Sequence, residues 1–145
     1  MVYSVSIEIQ ASFQKVTQRF LDLDQQKNWQ ENLLSHETVE GVRGMAGSVN
    51  KLRYQMGKRI IDMRETILSI NPETTMSATY EAKGVLNQVD NRFIAVHDAL
   101  TEWHVTNEFY CKGMAQIMAI FTPWLFKKET LRYMNLFKEF VEKNP

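Results

Sequence analysis

Cysteine is nearly absent from this chain. Of 145 residues only Cys111 carries a thiol, so no disulfide can form within it, which fits a reducing compartment. Net charge is missing too, since 17 lysines and arginines offset 17 aspartates and glutamates. Nucleic-acid binders carry a basic surplus or stripe, and none occurs, so nucleic acid is not an expected partner. No apolar run is long: the longest, residues 114–126, falls short of the roughly 20 residues that a spanning helix needs. Residues 1–10 lack the basic start and apolar centre of a secretory signal. The expectation is a soluble, cytoplasmic protein with no stable membrane insertion.

Reactive motifs are scarce as well. There is no phosphate-cradling glycine loop, no nucleophile elbow and no HExxH helix, and nothing in the sequence asks for a cofactor or a metal. Glu102, His104 and Glu108 fall on one strand face with the residue types of a metal site. That face reads as the solvated one, and a charged outer surface accounts for it. Cys111 lacks any motif that would activate its thiolate. His97 and Asp98 are neighbours in sequence, which does not make them a dyad.

What the chain does contain is pattern. Apolar residues make up 44% of it, and its length suits a single domain over residues 1–145. Val5, Ile7 and Ile9 alternate with Ser4, Ser6 and Glu8, which predicts a strand over Val2–Ile9. Ser12 is placed to cap a helix that carries Phe13, Val16, Phe20 and Leu21 inward. Residues 24–33 read as a second short helix anchored by Trp29.

From residue 34 to residue 112 strand follows strand. A segment over His36–Val42 ends at the loop Arg43-Gly44-Met45-Ala46-Gly47. Gly57-Lys58, glycine first, suits a type II′ turn between Ser48–Met56 and Arg59–Ile70. That turn sets Tyr54 opposite Ile61, Leu52 opposite Met63, Asn50 opposite Glu65 and Arg53 opposite Asp62. Asn71-Pro72 turns the chain. Lys83-Gly84 then joins Thr75–Ala82 to Val85–Val96, with Met76, Ala78 and Tyr80 facing Asn91, Val89 and Asn87. Thr101–Cys111 closes the sheet with Trp103, Val105 and Phe109 on the inner face. Residues 114–145 read as one long helix, broken only at Pro123 and apolar on nearly every side in its first half. The fold class expected is α+β: a curved antiparallel sheet of about seven strands wrapped around a long C-terminal helix, with two short helices after the first strand.

This order resembles the START-like, or SRPBCC, superfamily and its helix-grip fold. Ala11-Ser12-Phe13-Gln14-Lys15-Val16, Phe20-Leu21-Asp22 and Trp29 are similar to that family's N-terminal signature. Arg64-Glu65-Thr66-Ile67 before Asn71-Pro72 is similar to its strand and proline turn, and Leu136 to Glu142 to the end of its last helix. The superfamily includes lipid carriers, polyketide cyclases and dehydratases, and hormone receptors. The resemblance implies a hydrophobic ligand.

A sheet gripping a helix tends to leave an apolar cavity. The face that alternation assigns to it carries Leu52, Tyr54, Met63, Met76, Tyr80, Val89, Phe93, Trp103, Val105 and Phe109. Met114, Ile117, Met118 and Phe121 of the helix would close it. The methionines suit a pocket that adapts to its guest, although each residue taken singly is better read as core. Polar residues on that face say more: Asn50, Glu65, Asn87, Asn91, His97 and Asn107. They require mutual hydrogen bonds, trapped water or a ligand's polar end. A lone carboxylate is the costliest of these to bury, and pairing with Asn50 is the simplest fate for Glu65.

Two functions remain open. One is binding, as carrier, sink or sensor of a hydrophobic small molecule or lipid. The other is a cyclase or dehydratase in which Tyr54, Tyr80, Glu65 or His97 steers protons. The missing acid–base set favours binding; oligomeric state stays open. Gly44, Gly47, Gly113 and Pro123 suggest access between the 43–47 loop and residues 114–122.

Overall fold

The computed structural model describes residues 1–71, 75–116 and 123–144. Strand β1 spans Val2–Ile9 and is followed by helix α1, Phe13–Leu21. The Ser12 hydroxyl accepts a hydrogen bond from the Lys15 amide at 3.2 Å, which satisfies one of the free donors at the start of α1. The second expected helix is a short 3-10 turn, Leu23–Asn28, capped by the Asp22 side chain. It ends at Trp29, which is buried as its anchoring role requires. Leu21, expected inward, is exposed, because only Val16 and Phe20 of the last turns reach the core.

Six strands follow: β2 (Leu33–Glu40), β3 (Val49–Met56), β4 (Arg59–Asn71), β5 (Thr75–Ala82), β6 (Val85–His97) and β7 (Leu100–Cys111). They form one antiparallel sheet in the order β1-β7-β6-β5-β4-β3-β2. Two-residue turns set the registers, as expected from sequence. Gly57 and Gly84 both take the left-handed conformation that such turns need, with φ of 64° and 77°. Leu52 lies opposite Met63 and Asn50 opposite Glu65 across β3–β4. Tyr80 lies opposite Asn87 and Met76 opposite Asn91 across β5–β6. On the outer face Arg53 meets Asp62 at 2.9 Å, an exposed pair that adds little stability.

The final helix, α2, spans Pro123–Lys143. Residues 114–116 are helical, so the expected continuous helix from residue 114 rests on 117–122, which lie outside the described residues. Met114 is 73% exposed and does not close the interior as expected. Helix α2 is fastened to β1 at both ends. The Tyr3 hydroxyl meets Thr130 Oγ1 at 2.6 Å and donates to the Phe126 carbonyl at 3.0 Å. Towards the C-terminus, Lys138 donates to the Glu8 carbonyl, and Glu142 accepts from the Gln10 amide.

Between helix and sheet sits an aromatic core. Phe20 touches the rings of Trp29, Phe93, Trp103 and Phe137, with centroids 5.1–6.2 Å apart. Trp103 and Phe137 are fully buried and 5.2 Å from each other. The edge-to-face geometry that dominates this cluster is the one favoured by ring quadrupoles.

Candidate functional site

The aromatic core fills only part of the space under α2. Beside it lies a cavity of about 340 Å³, lined by inner-face residues of β3–β7, by α2 and by residues 29–32. That volume is at the lower end of what small-molecule sites offer. Strand alternation places Tyr54, Met63, Tyr80, Asn87, Val89, Asn91, Asn107 and Phe109 on its wall, all on the face read from sequence. Phe126, Thr130, Tyr133 and Leu136 of α2 form the opposite wall. Phe109 and Phe126 meet across it with centroids 4.8 Å apart.

Not every expected residue reaches this space. Leu52, Phe93, Trp103 and Val105 share the inner face, yet they are buried in packed core rather than on the cavity wall. Met76 also lies off the wall; its carbonyl accepts from the Asn91 amide at 3.5 Å. Glu65 is 4% exposed and sits behind the wall. Ile117, Met118 and Phe121 lie outside the described residues. His97 is exposed at the β6–β7 turn, where its Nδ1 accepts from the Ala99 amide, so it plays no part in the cavity. Phe20, Trp29, Gln30, Asn32, Met56, Phe126, Tyr133 and Leu136 were missed from sequence. For α2 a signal existed: residues 126, 130, 133 and 136 recur at helical spacing and share one stripe. None of residues 43–47 lines the cavity. Half-buried Asn32 and exposed Glu31, Met56, Glu129 and Arg132 do, so among the described residues the mouth lies between residues 31–32, the end of β3 and α2; residues 117–122, the other side of the expected entry, lie outside the described residues.

The polar groups fall into three sets. Glu65 accepts from Asn50 Nδ2 at 3.0 Å. Asn50 in turn accepts from the Thr38 hydroxyl at 2.7 Å, so the expected Asn50–Glu65 pair is part of a longer buried chain. The Tyr54 hydroxyl donates to Gln30 Oε1 at 2.8 Å, tying β3 to the segment after the 3-10 turn. Burial first, and the nearby Glu65 charge second, push the phenols of Tyr54 and Tyr80 well above the ordinary tyrosine range. Burial does the same to Tyr133. All three therefore stay protonated at neutral pH, and Tyr54 acts as a hydrogen-bond donor.

The third set is incomplete. Asn87 Nδ2 donates to Asn107 Oδ1 at 3.2 Å, but Asn87 Oδ1 and Asn107 Nδ2 are buried with no protein partner. Among the described residues no three His, Cys, Asp or Glu gather as a metal site would require. The Glu102 carboxylate lies 3.5 Å from His104 on the outer face.

An antiparallel sheet gripping a C-terminal helix over a hollow interior defines a START-like, SRPBCC-type domain. The chain belongs to the family described as polyketide cyclase/dehydrase and lipid transport, whose model matches residues 2–132. No curated protein matches it in sequence. Solved structures agree on the fold. The ZhuI aromatase/cyclase from Streptomyces sp. R1128 is 12% identical at a TM-score of 0.82, covering 99% of this chain and 94% of its own. A START superfamily protein from Mycobacterium smegmatis is 13% identical at 0.79, covering 99% of both chains. Norcoclaurine synthase from Thalictrum flavum, solved with dopamine and hydroxybenzaldehyde, is 12% identical at 0.77, covering 100% of this chain and 88% of its own. At these identities the likeness is one of fold. Among the described residues, no helix is long and apolar enough to cross a membrane.

Proposed function

We propose that the chain reversibly binds a hydrophobic small molecule or lipid in the cavity between sheet and α2, without chemical turnover. The observation that carries this reading is a cavity whose wall surface is largely apolar and aromatic. Native mass spectrometry of freshly purified protein tests it. The expected result is added mass that leaves on mild activation and returns when a neutral apolar compound is supplied. Protein that carries no added mass and takes up none would reject it.

One contact supports the alternative of a cyclase- or dehydratase-like enzyme. Tyr80 lies opposite Glu65 across β4–β5, where burial first and the carboxylate's charge second raise the phenol's pKa, and such a pair could relay a proton to a substrate in the cavity. Among the described residues the carboxylates and guanidinium on the lining, Glu31, Glu129 and Arg132, lie at the mouth, and only the phenols of Tyr54 and Tyr133 join Tyr80 further in. Multiple-turnover conversion of a polyketide-like substrate, abolished by Tyr80→Phe, would establish this reading instead.

A further inference from the structure

We infer that the cavity selects an uncharged ligand whose polar end is a hydroxyl, and that it excludes carboxylates and other anions. This rests on the binding function proposed above and adds the chemistry of the ligand's polar end. The observation is the half-satisfied Asn87–Asn107 pair. Asn107 is 2% exposed, both it and Asn87 line the cavity, and Asn107 Nδ2 and Asn87 Oδ1 are buried there without a partner. Whichever way the two amides are turned, one bond joins them, and one donor and one acceptor are left over. A buried polar atom without a partner is costly, and a single hydroxyl satisfies both by donating to one amide and accepting from the other.

Charge supplies the second half of the argument. An anion drawn into this space would need a cation, and among the described residues the one cation on the lining is Arg132 at the mouth. Its guanidinium is already held by Glu129, at 2.7 Å from Nη2, and by Glu31, at 3.3 Å from Nη1. Two carboxylates thus surround one guanidinium, and the mouth has no positive charge to spare. Residues 117–122 of the sequence, Ile-Met-Ala-Ile-Phe-Thr, contain no ionisable side chain, and residues 72–74 add only the acidic Glu73. Behind the wall Glu65 adds negative field at Tyr54 and Tyr80. Burying an unpaired anion against that field is prohibitive. An ammonium would tolerate the field but brings only donors, leaving Asn107 Nδ2 or its amide counterpart unmatched.

Four probes on one apolar body separate these cases: naphthalene, naphthol, naphthoate and naphthylmethylamine, each displacing Nile red at neutral pH. Naphthol should bind about tenfold more tightly than naphthalene, and naphthoate should bind more weakly than both. Asn107→Leu, close in volume, should bring naphthol down to the naphthalene level while naphthalene binding persists. Asn87→Leu should do the same and serves if the first variant does not fold. Naphthoate or the amine binding as tightly as naphthol overturns the inference, as does a naphthol preference that survives both substitutions. If none of the four binds, naphthalene included, the cavity-binding function falls with it. If naphthalene binds and no preference appears, only the polar selectivity falls.

Discussion

At one end of the β6–β7 ladder Phe93 lies opposite Trp103, both sealed beneath Phe20 and Phe137; at the other, Asn87 lies opposite Phe109, and both face an open cavity. The strands, their pairing and their inward faces are the same at both ends. What differs is what comes down on them. At the closed end α1 and the last turns of α2 pack Val16, Phe20, Phe137 and Val141 into the core against the sheet. At the open end Phe126, Thr130 and Tyr133 of α2 touch Phe109, Tyr3 and Trp103 yet leave a cavity between them and the sheet. Packing stabilisation is concentrated where the interior is solid. The hollow end forgoes those dispersion contacts and can carry polar groups whose partners are incomplete.

The contrast is broken most severely by emptying the closed end. Phe137→Ala removes a fully buried ring touching Phe20, Trp29 and Trp103, and should cost about 3–5 kcal/mol in denaturant unfolding. Its effect on binding should follow the folded fraction alone. A loss below 1 kcal/mol would show that the closed end does not carry the stability assigned to it.

A smaller effect is expected from alkaline pH, and it falls on the open end. Tyr54, Tyr80 and Tyr133 have raised phenol pKa values from a reference of 10.0, so the folded state keeps protons that the unfolded state releases. The stability they contribute is complete below pH 10 and declines as pH rises above it. Unfolding midpoints measured across this range should drop, with phenolate absorbance appearing together with unfolding. Ionisation of all five tyrosines near pH 10 in protein that stays folded would contradict the burial of these three.

The two ends were not equally legible in the sequence. Register was readable because Gly57-Lys58 and Lys83-Gly84 leave one way to pair their strands, and period-two alternation then names every inward residue. Alternation says which face a residue joins but not how closely a helix approaches it there. Trp103 and Asn107 therefore looked alike from sequence, although one is packed solid and the other lines a cavity. Trp29, Gln30 and Asn32 reach the cavity through the chain's path between elements, which no local period encodes. His97 went wrong for a related reason: the β6–β7 ladder shifts register between Ala95 and His97, and the alternation that would have turned it inward ends there.

The account rests on the hollow end being the binding site, and filling it is the most direct test. Met63 lines the cavity from β4, and Met63→Trp should occupy much of its space without touching the Phe93–Trp103 cluster. Titration of both proteins with Nile red, alongside their thermal midpoints, should show binding lost in the variant and the midpoint nearly unchanged. Undiminished binding by a folded Met63→Trp protein would place the ligand elsewhere and contradict the account.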